Sequence, residues 1–211
     1  ATVMEAEVML QETHTEERAA DPNKDPQYKA RIFLRGDRHR NVNGKTVQCD
    51  EIGLSTDPMN EAELNLLVFI GSTEEDPTVE VGDEESAYCK EPVRGDAVWV
   101  RLPKHLQTKA MQKMHDPVVR QVMNLYGSER AGHDYQDGRT RRLEKAGWTR
   151  LPGSRSIYYK KIPESSHTLW LGAFVDDMPM CGTKHLVKAE WKNLEKHGFT
   201  WKDPPGPKSQ L

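Results

Sequence analysis

Short apolar runs and helical spacings of apolar residues follow one another along the chain. Apolar runs between turn-forming residues predict strands, and apolar residues three or four positions apart predict helices. The predicted strands cover residues 28–34, 78–83, 97–100, 156–160 and 169–175, with a returning strand over 178–181. The predicted helices cover residues 105–115, 130–146 and 184–197, while residues 118–126 fit either a strand or a short helix.

A further helix is predicted to begin at Pro58. Asp57 can cap its first turn, and proline suits the first helical position because its missing N–H would have no partner there. Leu64, Leu67 and Val68 then lie at helical spacing and form an apolar stripe, which predicts packing against a core.

The two ends of the chain lack these patterns. Residues 1–27 are polar and acidic and contain proline, so we expect a flexible arm, with at most a short helix around residues 5–10. Residues 203–211 are rich in proline, so we expect an irregular tail.

The apolar run from Leu169 to Val175 leads directly into two adjacent carboxylates, Asp176 and Asp177. Two acids at the tip of a buried hairpin are costly to leave unpaired. A divalent cation such as Mg²⁺, which prefers hard oxygen ligands, would explain them. The alternative is an ordinary Asp-Asp turn on a solvated hairpin, because aspartate is a common turn former.

Composition bounds the class of protein. The chain has 211 residues, 36% of them hydrophobic and 30% charged, which fits one large or two small globular domains. Its net charge of −3 gives no overall sign of nucleic-acid affinity. Between Arg101 and Lys161, however, there are fourteen Lys or Arg residues and only five Asp or Glu residues. This basic segment could follow phosphates, although a solvated surface also produces such an excess.

Cysteine usage and hydropathy favour an intracellular setting. Cys49, Cys89 and Cys181 are widely spaced and form no Cys-x-x-Cys pair, so neither a disulfide framework nor a structural zinc site is indicated. No apolar run reaches the roughly 18 residues of a membrane span, and no signal peptide is visible. We expect the chain to be a piece of a longer polypeptide.

Six short motifs follow one another in a specific order. They are Lys29-Ala-Arg31 with Gly36, Asp83-Glu-Glu-Ser-Ala-Tyr88, Val98-Trp-Val-Arg-Leu-Pro103, Leu125-Tyr-Gly127, Ser156-Ile-Tyr158, and Phe174-Val-Asp-Asp-Met178 with Gly182. In this order they resemble the reverse transcriptase of copia-type retrotransposons, and the resemblance runs from about Tyr28 to about Phe199. Each motif alone is weak, whereas six in order with plausible gaps are specific.

The resemblance implies an α+β polymerase palm-and-fingers fold without a thumb. Its antiparallel palm sheet would carry helices on one face. The corresponding division of the chain is a polar arm over 1–27, a fingers-like segment over 28–77, a palm with part of the fingers over 78–202, and a tail over 203–211.

The resemblance also implies an RNA-directed DNA polymerase core within a retrotransposon polyprotein, located in a cytoplasmic particle or the nucleus. It would bind an RNA template, a DNA primer and deoxynucleoside triphosphates, and use two Mg²⁺ ions for nucleotidyl transfer. Asp83 and Asp176 would bridge the two ions, and Asp177 would be a third, more peripheral acid.

Four further residues are implied as nucleotide contacts. Arg31 and Lys29 would meet the triphosphate, because guanidinium and ammonium groups bind phosphate oxygens. Tyr88 would pack under the sugar and select deoxynucleotides. Arg130 stands where the family has a glutamine near the nucleotide, and it could still contact a phosphate.

Several positions depart from the family's pattern and define an alternative hypothesis. Glu84 replaces an apolar residue, Tyr135 replaces a tryptophan, Arg130 replaces the glutamine, and Pro179 stands in the returning strand of the hairpin. A buried carboxylate at position 84 would need a partner. The alternative is a catalytically inactive remnant that keeps the fold and at most a weak affinity for nucleic acid.

Overall fold

The computed structural model describes residues 2–13, 19, 21, 23, 25–41, 43–46, 56 and 58–207. Cys49 and Asp57 therefore lie outside the described residues. In the described part the chain is mixed α/β, with two five-stranded sheets and three α-helices. None of those helices is long and apolar enough to cross a membrane.

The elements are numbered in chain order. The strands are β1 (Thr2–Thr13), β2 (Gln27–Leu34), β3 (Arg40–Asn41), β4 (Pro77–Asp83), β5 (Val98–Arg101), β6 (Val119–Arg120), β7 (Thr149–Arg150), β8 (Ile157–Lys161), β9 (Thr168–Gly172) and β10 (Asp177–Thr183). The helices are α1 (Glu61–Gly71), α2 (Ala131–Lys145) and α3 (Lys184–Lys196).

The chain forms two compact units, each built from two stretches of sequence. The first unit contains Ala1–Leu54 and Tyr88–Asp134, and the second contains Ser55–Ala87 and Tyr135–Leu211. The division into a fingers-like segment over 28–77 and a palm over 78–202 stays a prediction.

The first unit contains the sheet β2-β1-β5-β6, with β3 paired to the start of β1. β1 pairs antiparallel with β2 and parallel with β5. Its core includes Met4, Ala6, Leu34 and Val100.

The expectation of a flexible arm with a short helix is therefore wrong for residues 2–13, which form β1. The signal was present as the alternation Met4-Glu-Ala6-Glu-Val8, in which every second residue is apolar. The acidic residues between them occupy the other face of the strand.

The helix predicted over residues 105–115 is also wrong. This stretch contains only two short 3₁₀ turns, Lys104–Leu106 and Met111–Lys113, neither of which has a buried residue. Without an apolar stripe to bury, packing does not stabilise a longer helix there. The open choice over residues 118–126 resolves to the short strand β6.

The second unit contains the sheet β4-β10-β9-β8-β7, in which all neighbouring strands are antiparallel. The antiparallel sheet and the hairpin predicted at Asp176 are thus confirmed. Register continues from Phe174↔Asp177 to Leu171↔Met180, and the paired rungs are interrupted around Pro179, which lacks an N–H to donate.

Helices cover both faces of this sheet, so the expectation of helices on one face is wrong. On one face α3 contributes Val187, Trp191 and Leu194 to a core that contains Met178 and Met180. On the opposite face, Leu67 of α1 packs with Ile157 and Cys181. A central strand that is apolar on both sides needs cover on both sides, as the unbroken apolar run over residues 169–173 requires.

The predicted helices over 130–146 and 184–197 are confirmed within one or two residues as α2 and α3. The helix predicted to begin at Pro58 is α1, but it begins at Glu61, so the expectation that Pro58 is its first residue is wrong. The cap is Asn60 and not Asp57, because the helix begins later than predicted. Asn60 Oδ1 accepts a hydrogen bond from the N–H of Glu63, and the Glu63 carboxylate accepts one from the N–H of Asn60, so the two form a capping box.

Candidate functional site

The hairpin β9–β10 turns through only two residues, Val175 and Asp176. Phe174 N–H donates to the carbonyl of Asp177 over 2.8 Å, and Asp177 N–H donates back over 2.9 Å. Val175 has a φ of +53°. A β-branched residue rarely adopts this left-handed conformation, which costs about 1–3 kcal/mol and persists where surrounding structure enforces it. The turn is therefore a strained element that carries Asp176 and leads directly into Asp177, the first residue of β10.

The register between β4 and β10 places Asp177 directly opposite Asp83. Glu84 N–H donates to the carbonyl of Asp176 over 2.8 Å, so the neighbouring pair, Asp83 and Asp177, is of the non-hydrogen-bonded type. In such pairs the Cβ atoms lie on one face about 4.5–5.5 Å apart. The sheet thus brings together two acids that are distant in sequence.

Asp176 occupies the turn itself and is partly buried. The cross-strand partner of Asp83 is therefore Asp177, whereas the resemblance assigned the bridging role to Asp176. The assignment of all three acids as metal ligands stays a prediction.

Two opposed carboxylates repel each other unless a cation lies between or beside them. Lys202 Nζ lies 3.5 Å from Asp83 Oδ2, and its side chain is 58% exposed. Among the described residues, no group of three or more His, Cys, Asp or Glu is close enough to hold a metal ion. The pair still fits Mg²⁺, which is usually bound by one or two carboxylates and completes its shell with waters and substrate phosphates.

Glu84 directly follows β4, and its side chain is fully buried on the face opposite to that of Asp83. Its carboxylate accepts a hydrogen bond from Tyr135 Oη at 2.5 Å and from Arg142 Nη1 at 2.6 Å. Burial, reinforced by the charge of Glu84, raises the pKa of the Tyr135 phenol well above its usual value. The carboxylate that departs from the family's pattern is therefore paired and hydrogen-bonded.

Arg139 is a buried residue of the same helix, α2. Its Nη1 donates to the carbonyl of Val175 over 2.9 Å, and its guanidinium carbon lies 5.4 Å from the centre of the Tyr135 ring. Arg139 and Arg142 belong to the basic segment between Arg101 and Lys161, for which the sequence offered either phosphates or solvent as surroundings. In the structure Arg139 contacts the hairpin turn and Arg142 contacts Glu84, at the end of β4.

The first unit contains the other predicted contacts. Lys29 and Arg31 lie on one face of β2, opposite Gln11 and Met9 of β1. The guanidinium carbon of Arg31 lies 6.0 Å from the centre of the Tyr126 ring.

Tyr88 meets the same Tyr126 ring edge-on at 5.3 Å. The structure therefore brings two predicted residues together around a tyrosine that the sequence singled out only as part of the Leu-Tyr-Gly motif. The glycine of that motif, Gly127, has a φ of +81°, and a Cβ there would lie 2.0 Å from the carbonyl oxygen of Leu34.

Arg130 is paired within the first unit. Its Nη2 lies 3.6 Å from Oδ1 of Asp134, whose side chain is fully buried. Asp134 also accepts hydrogen bonds from the amide of Asn124 and from the backbone of Arg94. The contact of Arg130 with a nucleotide phosphate stays a prediction.

Sequence reasoning missed the specific contacts of α2. The spacing of Tyr135, Arg139 and Arg142, four and three residues apart, placed them on one face of a helix and was the available signal. Which strand that face meets could not be read from the spacing.

No known protein family matches this sequence, and no curated protein is significantly similar to it.

Proposed function

We propose that this chain is the core of an RNA-directed DNA polymerase of the copia type, which transfers nucleotides with the help of two Mg²⁺ ions. The observation that supports this most is the cross-strand pair of Asp83 and Asp177 beside a strained two-residue turn that carries Asp176. Strained backbone is concentrated at functional sites, and a solvated structural hairpin has no need of a valine at positive φ.

In this proposal Asp83 and Asp177 hold a divalent cation from two adjacent strands, waters and substrate phosphates complete its shell, and Asp176 in the turn takes the peripheral place that the resemblance gave to Asp177. The bound ions would lower the pKa of the primer 3′-hydroxyl and stabilise charge on the triphosphate. The protein's own contribution is to fix its carboxylates before the cation arrives, so that no reorganisation is needed at the moment of reaction.

The residues proposed as nucleotide contacts belong to the first unit and are proposed separately from the acid pair. Arg31 lies on the exposed strand β2 and has a guanidinium fork suited to phosphate oxygens. Tyr88 is held edge-on against Tyr126, and in this proposal its ring packs against the sugar of the nucleotide. The partners would be an RNA template, a DNA primer, deoxynucleoside triphosphates and the remainder of a polyprotein, inside the cell in a cytoplasmic particle or the nucleus.

One observation favours the alternative of an inactive remnant. Arg130, which stands where the family has its glutamine, lies against the buried carboxylate of Asp134. An arginine engaged with a buried acid is less available to a nucleotide.

The test is primer extension on an RNA template with Mg²⁺ or Mn²⁺. We expect the wild-type chain to extend the primer, and Asp83→Asn and Asp177→Asn to lose at least about 100-fold in rate, as when a group that stabilises transition-state charge is removed. Asp203→Asn is the matched control, because Asp203 is an exposed acid of the same unit. A wild-type chain that extends no primer with either ion would leave the remnant as the correct description.

A further inference from the structure

The turn that carries Asp176 needs support from outside the hairpin. Two-residue hairpin turns usually place glycine, asparagine or aspartate where φ is positive, because a β-branched side chain there clashes with its own backbone. Here that position is Val175, with a φ of +53°. The hairpin bonds alone do not favour this residue at this place.

Buried groups hold both carbonyl oxygens of the turn. Arg139 Nη1 donates to the carbonyl of Val175 over 2.9 Å, and Glu84 N–H donates to the carbonyl of Asp176 over 2.8 Å. The side chain of Glu84 is in turn fixed by Tyr135 and Arg142 of helix α2. The turn is therefore tied to α2 directly through Arg139 and indirectly through the end of β4.

Arg139 is an unusual choice if it served packing alone. It is only 3% exposed, its Nε has no hydrogen-bond partner, and within the described residues it forms no ion pair. Burying a guanidinium without a carboxylate is costly, so leucine or methionine would pack the same space more cheaply. Its positive charge lies instead against the carbonyl of the residue that precedes Asp176 and Asp177.

We infer that Arg139 is a positioning residue for the acid pair. By holding the Val175 carbonyl it keeps the turn in its strained conformation, and this keeps Asp177 opposite Asp83 and Asp176 at the tip. The consequence is a higher affinity for the divalent cation. The second part of this inference rests on the proposed function, whereas the first concerns the turn itself.

The experiment compares Arg139→Met, which keeps the length but removes the donors, with Arg139→Lys, which keeps the charge and one donor group. Lys145→Met is the matched control, because it removes the same charge from an exposed position of the same helix. Two measurements are made on each variant: hydrogen exchange at the amides of Phe174 and Asp177, and Mn²⁺ affinity from a titration.

We expect Arg139→Met to speed exchange of the two turn amides at least tenfold and to weaken Mn²⁺ binding at least tenfold. Arg139→Lys should keep most of the wild-type protection of the two amides and most of the wild-type Mn²⁺ affinity. Lys145→Met should match the wild type in both measurements. In the double variant Arg139→Met with Val175→Gly, exchange should be slow again. Glycine adopts a positive φ without strain, so the turn no longer needs Arg139 to hold it. If Arg139→Met alone fails to fold, the double variant is measured in its place, and we expect the double variant to be folded.

The outcomes separate the two proposals. Wild-type exchange and wild-type Mn²⁺ affinity in Arg139→Met would overturn the positioning role, as would a double variant that remains unfolded or exchanges as fast as the single one. A wild-type chain that binds no Mn²⁺ would overturn the cation site, while the exchange data would still decide whether Arg139 holds the turn.

Discussion

Two neighbouring carboxylates on opposite faces of the sheet in the second unit differ in burial and in the charge of their partners. Glu84 is fully buried among Tyr135 and Arg142, whereas the side chain of Asp83 is 27% exposed and lies opposite a second acid. Successive residues of an extended chain point to opposite faces, so one step from Asp83 to Glu84 separates the partly exposed acid pair from the buried ion pair. The buried ion pair fixes the strand end on the closed face, and the open face carries the two opposed carboxylates.

The energetic expectation for the two faces differs as well. Removing one partner of a buried ion pair leaves an uncompensated charge and costs about 3–5 kcal/mol, whereas exposed pairs contribute about 0–1 kcal/mol. Four changes test the contrast, in order of decreasing effect on the free energy of unfolding.

Glu84→Gln should lower the free energy of unfolding by about 3–5 kcal/mol, because it leaves Arg142 without its buried counter-charge. Urea denaturation of the variant and of Arg142→Met, combined in a double-mutant cycle, measures the coupling. Asp83→Asn is the comparison on the open face and should change stability by less than about 1 kcal/mol. Equal losses for Glu84→Gln and Asp83→Asn would remove the distinction between the faces.

Gly71→Ala should cost up to about 3 kcal/mol through overpacking. A Cβ at Gly71 would lie 2.2 Å from Cβ of Cys181, so α1 would have to move away from the face that carries the acid pair. Thermal unfolding measures the loss. Gly206→Ala is the control, because the nearest atom to a Cβ there is 3.9 Å away; a stable Gly71→Ala would mean that α1 is not closely packed on β10.

Alkaline pH should destabilise the second unit through groups on both faces. Burial raises the pKa of the Cys181 thiol to about 12, and the pKa of Tyr135 is also raised. Because the folded state holds these protons more tightly than the unfolded state, the stabilisation is complete below about pH 9 and is lost as pH rises toward 12.

At pH 10 the contribution of Cys181 should have fallen by about 1.4 kcal/mol from its value at pH 8. Cys181→Ala should therefore show a flatter decline of unfolding free energy between pH 8 and pH 10.5 than the wild type. Parallel profiles would assign the alkaline loss to other groups.

Lys202→Met should have the smallest effect on folding, within about 0.5 kcal/mol, because its contact with Asp83 is exposed. The same change removes a positive charge beside the acid pair, so Mn²⁺ affinity should rise a few-fold. Urea unfolding and Mn²⁺ titration of the same variant check both statements. A loss of Mn²⁺ affinity would contradict the expected repulsion between the Lys202 ammonium and the bound cation.

Local pattern was sufficient for most elements. The apolar stripe of α1, the amphipathic α3 and the apolar hairpin before Asp176 were each predicted, although the start of α1 lies at Glu61 and its cap at Asn60. The prediction failed at β1, where the many acidic residues outweighed the alternation of apolar ones. It also failed at residues 105–115, where a helix was predicted for a mostly polar stretch. In both cases the decisive fact was whether an apolar face existed to be buried.

The sequence by itself determined that two acids end an apolar hairpin and that α2 carries Tyr135, Arg139 and Arg142 on one side. Only the tertiary structure decided that Asp83 lies opposite Asp177, that Glu84 meets Arg142, and that α1 covers the second face of the sheet. Within one helix or strand, the regular backbone geometry decides which residues share a face, so their spacing in the sequence is sufficient to identify them. Register between distant strands and the partner of a buried charge depend on the packing of the whole unit.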